Sequence, residues 1–129
     1  MSTTKHTGPL AGLRVLDVGG VGPGPFCSMM LSDMGAEVIR IDRKHAGESG
    51  LPIDRRFEVM FRGKRSVSMD LKKPVAIEAV RRMVSRADVL IEGFRPGVME
   101  RLGLGPDRCL EINPKLVYGR MTGWGQDGP

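Results

Sequence analysis

Few of the features that mark specialised protein classes are present in this sequence. Only two of its 129 residues are cysteine, too few for a disulfide framework, and neither has a histidine at zinc-ligand spacing. No apolar run is long enough to span a membrane, and the polar first residues lack the pattern of a signal peptide. We therefore expect a cytoplasmic protein with reduced cysteines, no metal site and no membrane partner.

Aromatic residues are scarce too, and the excess charge is positive. One tryptophan, one tyrosine and four phenylalanines leave few rings to stack on bases, and no zinc-finger spacing is present, so we expect no nucleic-acid partner. The net charge is +5, and the window from Arg40 to Lys73 alone holds ten Lys or Arg against five Asp or Glu. That window predicts an anionic ligand, for which a small phosphorylated molecule fits best. A basic face that contacts only solvent is the alternative.

Strand and helix signals alternate along the chain. Short runs rich in β-branched residues predict strands at residues 14–18, 37–41, 66–70, 89–92 and 116–121. Proline and glycine signals predict helices at residues 25–35, from Pro74 onward, at 96–102 and at 106–112. A long polar connection, residues 43–65, interrupts the pattern. This order predicts one α/β domain at residues 9–129 after a polar tail at 1–8, Rossmann-like and doubly wound, with a mainly parallel sheet and helices on both faces.

The first two predicted helices differ in how their apolar residues are spread. In the first helix they cover most of the surface, which predicts a buried helix; these residues are Phe26, Met29, Met30, Leu31 and Met34. In the second they form one face, made of Val75, Ala79, Val80, Met83, Val84 and Ala87. Glu78 and Arg82 are spaced to pair on the outside of this helix.

A glycine-rich turn, residues 19–25, follows the first strand and opens the first helix. A dinucleotide-binding fold holds its pyrophosphate at this place. The glycine fingerprint fails, however, because its third glycine falls on Pro25, and Pro23 and Pro25 both lack the N–H that phosphate binding requires. We therefore favour a tight turn that only directs strand and helix, with phosphate binding as the alternative.

The end of the second predicted strand carries an acidic and a basic residue. Asp42 stands where NAD-binding domains place an acidic residue on the ribose, and Arg43 follows it directly. A planar guanidinium there suits a phosphorylated ribose, as in NADP or the 3′-phosphate of coenzyme A. An ordinary surface arginine is the alternative. Further basic candidates for ligand binding are Arg55, Arg62, Lys64, Arg65 and Lys72.

Five segments in order along the chain carry a family resemblance: residues 8–16, 35–43, 87–97, 100–105 and 120–129. Together they resemble the N-terminal part of the family III CoA-transferases. Residues 93–105 and 119–129, the latter ending in Gly-Trp-Gly-Gln-Asp-Gly-Pro, are similar to the α-methylacyl-CoA racemase branch of that family. The resemblance implies the Rossmann-like large domain of an interlocked homodimer, with the nucleotide of an acyl-CoA thioester bound at the strand ends.

The resemblance also implies which residues contact coenzyme A. Arg43 is expected to meet the adenosine phosphate. The adenine and ribose are expected to lie against Met69, Asp70, Leu71 and Lys72, and the rest of the coenzyme against Gly93, Phe94, Arg95 and Arg101. Phe94 departs from the tyrosine that related enzymes often carry, which keeps an aromatic contact and removes a hydroxyl. The alternatives are a turn role for Asp70 and an outer-face charge for Arg101.

The implied reaction is racemisation of a 2-methylacyl-CoA through an enolate, formed by removing the proton beside the thioester carbonyl. The resemblance implies no metal or redox cofactor for this reaction. Coenzyme A takes part only as a portion of the substrate. The resemblance places the catalytic His, Asp and Glu beyond Pro129, so we expect no catalytic residue in this stretch and no activity from the chain alone. His6 and His45 do not match catalytic positions, and Cys27 is expected to be a core thiol. The strand-end carboxylates show no sign of burial: Asp17, Asp42, Asp70 and Glu92.

Two other functions fit the same sequence. A family III CoA-transferase would use a carboxylate nucleophile to form an anhydride and move coenzyme A between carboxylic acids. A non-catalytic module would bind coenzyme A or another nucleotide without reaction. An NADP enzyme fits less well because the glycine fingerprint fails.

Overall fold

A computed structural model describes residues 7–42 and 55–128 of the chain, and these contain one five-stranded sheet. Its strands are β1 (Arg14–Val18), β2 (Glu37–Asp42), β3 (Arg65–Ser68), β4 (Val89–Glu92) and β5 (Val117–Arg120). Their order across the sheet is β3-β2-β1-β4-β5, and every neighbouring pair is parallel. The predicted doubly wound parallel sheet is confirmed.

The described residues form four helices: α1 (Pro23–Asp33), α2 (Pro74–Val84), α3 (Val98–Arg101) and α4 (Pro106–Ile112). Helices α1, α2 and α4 begin with proline, whose fixed φ suits a first turn where no N–H is needed. α1 starts two residues earlier than predicted because Gly22, with a φ of 72°, lets the chain turn sooner. None of the described helices is long and apolar enough to cross a membrane.

Three elements are shorter than predicted. β3 stops at Ser68 because the chain then turns around Asp70, whose Oδ1 accepts a hydrogen bond of 3.1 Å from the N–H of Lys72. α3 begins only after Gly97, which has a φ of 80°. β5 loses a residue at its start and another at its end. Two 3₁₀ turns, Arg55–Phe57 and Val59–Phe61, occupy the described part of the polar connection.

Alternate strand residues point to opposite faces of the sheet and build two cores. On one face, Leu16 and Leu90 pack with apolar residues of α2, α3 and α4. On the other face, Val15 and Ile91 pack with a smaller group that Leu31 of α1 joins. Helices therefore cover both faces, as predicted.

The prediction that α1 is wholly buried is wrong. Its residues toward the sheet are buried, and Met29 is the one large apolar side chain among them. Phe26, Met30 and Met34 lie on the outer side and remain 51%, 48% and 37% exposed. A helix that packs on one face of a sheet buries only the side toward that sheet, whatever the residues on its other side.

The predicted apolar face of α2 is confirmed in part. Val80 and Val84 are fully buried, whereas Val75, in the first turn of the helix, is 72% exposed. The predicted pair of Glu78 with Arg82 is wrong, because Glu78 lies 3.8 Å from Nη1 of Arg81 instead. The guanidinium of Arg81 also donates two hydrogen bonds to the carbonyl of Gly103, which hold it near Glu78 of α2.

Truncation of Val80 tests the larger core. Val80→Ala should lower the free energy of unfolding by about 1.5–3 kcal/mol because two buried methyl groups are lost. The matched control Val75→Ala, on the exposed part of the same helix, should change it by less than about 0.5 kcal/mol. Urea unfolding followed by circular dichroism measures both changes, and equal losses would contradict the packing of α2 described above.

Candidate functional site

All five strands are parallel, so their carboxyl ends meet at one edge of the sheet. β1 lies in the middle of the sheet, between β2 and β4. After β1 the chain builds β2 and β3 on one side of it, and then crosses to the other side of β1 to form β4 and β5. Ligands of open α/β sheets bind in the crevice that such a change of direction leaves at the carboxyl edge. The predicted site residues follow β2, β3 and β4 and therefore belong to this edge.

The ends of β2 and β3 are joined directly. The N–H of Met69 donates a 2.8 Å hydrogen bond to the carbonyl of Asp42, the last residue of β2. Met69 and Leu71 are half-buried and pack against the larger core, whereas Lys72 is exposed. Asp70 turns the chain between them, as its alternative role predicted. Arg43 follows Asp42 in the sequence and lies outside the described residues.

The ends of β1 and β4 approach each other closely. A Cβ on Gly19 would lie 2.9 Å from Cζ of Phe94, and a Cβ on Gly20 would lie 3.4 Å from Cα of Gly93. Gly19 and Gly20 have positive φ angles, 63° and 97°, which residues with a side chain rarely adopt. The two glycines therefore allow Gly93 and Phe94 to pack against the turn that follows β1, which supports the tight-turn interpretation.

A buried carboxylate fixes the loop after β4. Glu92 is 1% exposed, and its Oε2 accepts a 2.9 Å hydrogen bond from the N–H of Phe94. Its Oε1 accepts a 3.2 Å hydrogen bond from Nε of Arg120, the residue paired with it on β5. Arg120 also donates to Glu100 of α3, at 2.7 Å. One carboxylate thus connects the loop to β5 and, through Arg120, to α3.

A second group of buried charges lies on the α1 face of the sheet, and we call Asp17, Ser28, Arg40 and Lys64 the Asp17 cluster. The carboxylate of Asp17 has no exposed surface, and the side chain of Lys64 is 1% exposed. Nζ of Lys64 lies 3.1 Å from Oδ2 of Asp17 and 2.6 Å from Oγ of Ser28. Nη1 of Arg40 lies 3.5 Å from the same carboxylate oxygen. Burial lowers the pKa of Lys64, and the charge of Asp17 acts in the opposite direction.

Burial of Asp17 and Glu92 corrects the expectation that these strand-end carboxylates are not buried. Both are fully enclosed. Each stands at or near the end of an apolar β-branched run, and a parallel strand covered on both faces buries all its residues. The sequence signal for both buried carboxylates was an acidic residue within or at the end of an apolar strand, Asp17 in β1 and Glu92 in β4.

Three of the further basic candidates are paired with carboxylates. Lys64 belongs to the Asp17 cluster. Arg62 donates to Asp33 at 2.6 Å, and Arg65 pairs with Glu37. Sequence reasoning missed these pairs because their partners are 28 to 47 residues away along the chain.

Arg95 and Arg101 are exposed at the other end of the edge. The carbonyl of Arg95 accepts a 3.1 Å hydrogen bond from Val98, the first residue of α3. Nη1 of Arg101 lies 3.2 Å from the position that a Cβ on Gly97 would take, so its guanidinium folds back toward the start of α3. β2 and β1 lie between β3 and β4, so strand spacing places the ends of β3 and β4 about 14 Å apart.

The described residues offer no free acid or base in a buried setting. Asp17 and Glu92 are both held in ion pairs. Burial raises the pKa of the Cys109 thiol to about 11 and also raises the pKa of Tyr118. Cys27 is half-buried against the smaller core, as a packing thiol would be. Within residues 7–42 and 55–128, no three His, Cys, Asp or Glu side chains converge as metal ligands would.

The family model for CoA-transferase family III matches residues 10–129. The chain belongs to CoA-transferase family III. It is 50% identical over 119 residues to the α-methylacyl-CoA racemase of Mus musculus, covering 92% of this chain and 29% of the racemase. It is 39% identical over 137 residues to the succinyl-CoA–L-malate CoA-transferase beta subunit of Chloroflexus aurantiacus, covering all of this chain and 34% of that enzyme.

Solved structures agree with this family assignment. The crystal structure of Rv3272 from M. tuberculosis matches this family III chain with a TM-score of 0.85 and 42% identity, over 95% of this chain and 36% of that one. The chain thus spans about a third of the length of the relatives it matches. All nine residues carried over from the family resemblance lie inside the matched range. Their contact with coenzyme A stays a prediction.

Removal of the Glu92 carboxylate tests how the loop after β4 is held in this family III chain. Glu92→Ala should lower the free energy of unfolding by about 2–4 kcal/mol, because it removes the buried acceptor of both the Phe94 N–H and Arg120, although Arg120 keeps Glu100. Glu100→Ala removes the exposed partner of the same arginine and should cost about 1 kcal/mol or less. Denaturant unfolding measures both, and similar losses would contradict the role assigned to Glu92.

Proposed function

We propose that this family III chain binds the coenzyme A part of an acyl-CoA thioester along the carboxyl edge of its sheet, in an enzyme that racemises 2-methylacyl-CoA. The observation that carries the proposal is the layout of that edge. One group of predicted residues follows β3, and the second follows β4, whose end lies three strand spacings, or about 14 Å, from the end of β3. Such a layout suits an extended ligand with an anionic nucleotide at one end.

The chemistry of the two groups is consistent with the parts of coenzyme A. Lys72, and Arg43 as the resemblance predicts, would provide cations for the 3′-phosphate. The half-buried Met69 and Leu71 offer apolar contact to adenine. Arg95 and Arg101 provide exposed cations that suit the pyrophosphate, and the ring of Phe94 offers apolar contact to the remainder.

Racemisation is favoured over CoA transfer by the degree of similarity, 50% to the mouse racemase against 39% to the Chloroflexus transferase. A racemase removes the proton beside the thioester carbonyl and returns a proton to either face of the enolate, which requires two positioned acid/base groups. A transferase instead uses a carboxylate that attacks the thioester carbonyl and displaces the thiolate of coenzyme A. CoA transfer remains the second candidate because the Chloroflexus match covers the whole chain.

Arg43 provides the sharpest test of phosphate recognition. Arg43→Ala should weaken the binding of coenzyme A by roughly 1.5–3 kcal/mol, or about 10- to 150-fold in Kd, because one charge-assisted contact to the 3′-phosphate is lost. Binding of dephospho-CoA should hardly change. Isothermal titration calorimetry measures both, with NADP as a third ligand that separates coenzyme A recognition from general phosphate binding.

The control for this titration is Arg86→Ala, which removes the same charge from an exposed position between α2 and β4, at the opposite edge of the sheet. It should leave both affinities within about twofold, since distant exposed charges are screened by salt. Equal weakening of coenzyme A and dephospho-CoA by Arg43→Ala would contradict phosphate recognition by this residue.

Deuterium exchange tests the reaction. The 129-residue chain alone should not exchange the 2-proton of a 2-methylacyl-CoA with heavy water, because its described buried carboxylates are held in ion pairs. A chimera in which this chain replaces the aligned 119 residues of the mouse racemase should exchange it, as NMR of the substrate would show. A folded chimera that binds coenzyme A but does not exchange the proton would contradict the racemase proposal. Exchange by the chain alone, lost on mutation of one of its residues, would place the base inside it.

A further inference from the structure

Lys64 is the most enclosed cation of the described chain, and it uses its full bonding capacity. An ammonium group has three N–H donors, and here each has an acceptor: Oδ2 of Asp17 at 3.1 Å, the carbonyl of Pro25 at 2.9 Å and Oγ of Ser28 at 2.6 Å. A buried lysine without such partners would be strongly unfavourable. The three acceptors belong to β1 and α1, whereas Lys64 comes from the connection that leads into β3.

The neighbours of Lys64 behave differently. Arg62 and Arg65 are exposed and pair with carboxylates on the surface. Lys64 alone among these three points inward, between β1, α1 and the 3₁₀ turn Val59–Phe61. It therefore fixes the connection to the middle of the domain just before the chain enters β3.

A continuous set of contacts leads from this anchor to the end of β2. The N–H of Lys64 donates to the carbonyl of Phe61 at 3.3 Å, and the ring of Phe61 lies 4.1 Å from the guanidinium of Arg40. Nε of Arg40 donates to Oδ1 of Asp42 at 2.6 Å. The carbonyl of Asp42 accepts the N–H of Met69. Met69 opens the segment, residues 69–72, that is predicted to lie against adenine and ribose.

We infer that Lys64 is a positioning residue for nucleotide recognition: through Phe61 and Arg40 it sets the place of Asp42, and thereby of Met69, the first residue of the segment predicted to lie against adenine and ribose. This inference rests on the proposed binding of coenzyme A. It assigns Lys64 no contact with the ligand. A contiguous network of packed and hydrogen-bonded groups is the physical route for such an effect.

The test compares two halves of coenzyme A on the purified protein. Adenosine 3′,5′-bisphosphate probes the nucleotide end, and 4′-phosphopantetheine probes the end that we assign to the loop after β4. Lys64→Met alone leaves the carboxylate of Asp17 buried without its closest cation and should lower the urea midpoint. The double variant Asp17→Asn, Lys64→Met removes both charges and should recover most of that stability.

In the double variant, the affinity for adenosine 3′,5′-bisphosphate should fall about tenfold, while that for 4′-phosphopantetheine should stay within about twofold. A loss of fold alone would weaken both ligands together. Arg62→Met, which removes a cation from the exposed pair with Asp33 two residues earlier, is the matched control and should alter neither affinity.

Two results would overturn the inference in distinguishable ways. If the folded double variant binds adenosine 3′,5′-bisphosphate as tightly as the unaltered protein, Lys64 serves stability alone. If the unaltered protein binds neither adenosine 3′,5′-bisphosphate nor coenzyme A, the proposed function fails and this inference fails with it.

Discussion

The carboxyl edge of the sheet depends on two carboxylates, Asp17 and Glu92, that are buried inside it and paired with cations from other elements. A buried ion pair adds little net stability, because desolvation offsets most of the attraction. Loss of one partner is nevertheless very unfavourable, since it leaves a charge enclosed without compensation. The strands, helices and loops that supply the partners must therefore keep their positions relative to one another.

Each carboxylate acts on one end of the edge. Asp17 holds Lys64 and Arg40 on the α1 face, and Arg40 in turn holds Asp42 at the end of β2. Glu92 holds the backbone of Phe94 and, through Arg120, α3 on the opposite face. The described groups held in this way are positioned before a ligand arrives, which reduces the entropy lost on binding. A long, flexible ligand such as an acyl-CoA gains most from such preorganisation.

The sequence predicted the sheet better than the environment of its charged residues. β1 and β4 have the predicted bounds because their β-branched runs are short and end at clear turn signals. The burial of α1 was overpredicted, since Phe26 and Met30 are apolar yet face outward, and composition does not say which side of a helix meets the sheet. The pairing of Lys64 with Asp17 spans 47 residues and depends on tertiary structure. The nine carried-over site residues came from the family resemblance, with which the charge pattern agreed at Arg43 and Lys72, and Arg43 lies outside the described residues.

A crystal structure of the protein with coenzyme A bound would test the central claim most directly. We expect the adenosine phosphate beside the end of β2, next to Met69 and Lys72, and the pantetheine part against Gly93 and Phe94. A second basic cleft among the described residues lies between α2 and α4 and is lined by Arg81, Arg82 and Arg108. Coenzyme A bound in that cleft, with the carboxyl edge empty, would contradict the proposal that the edge ordered by Asp17 and Glu92 is the binding site.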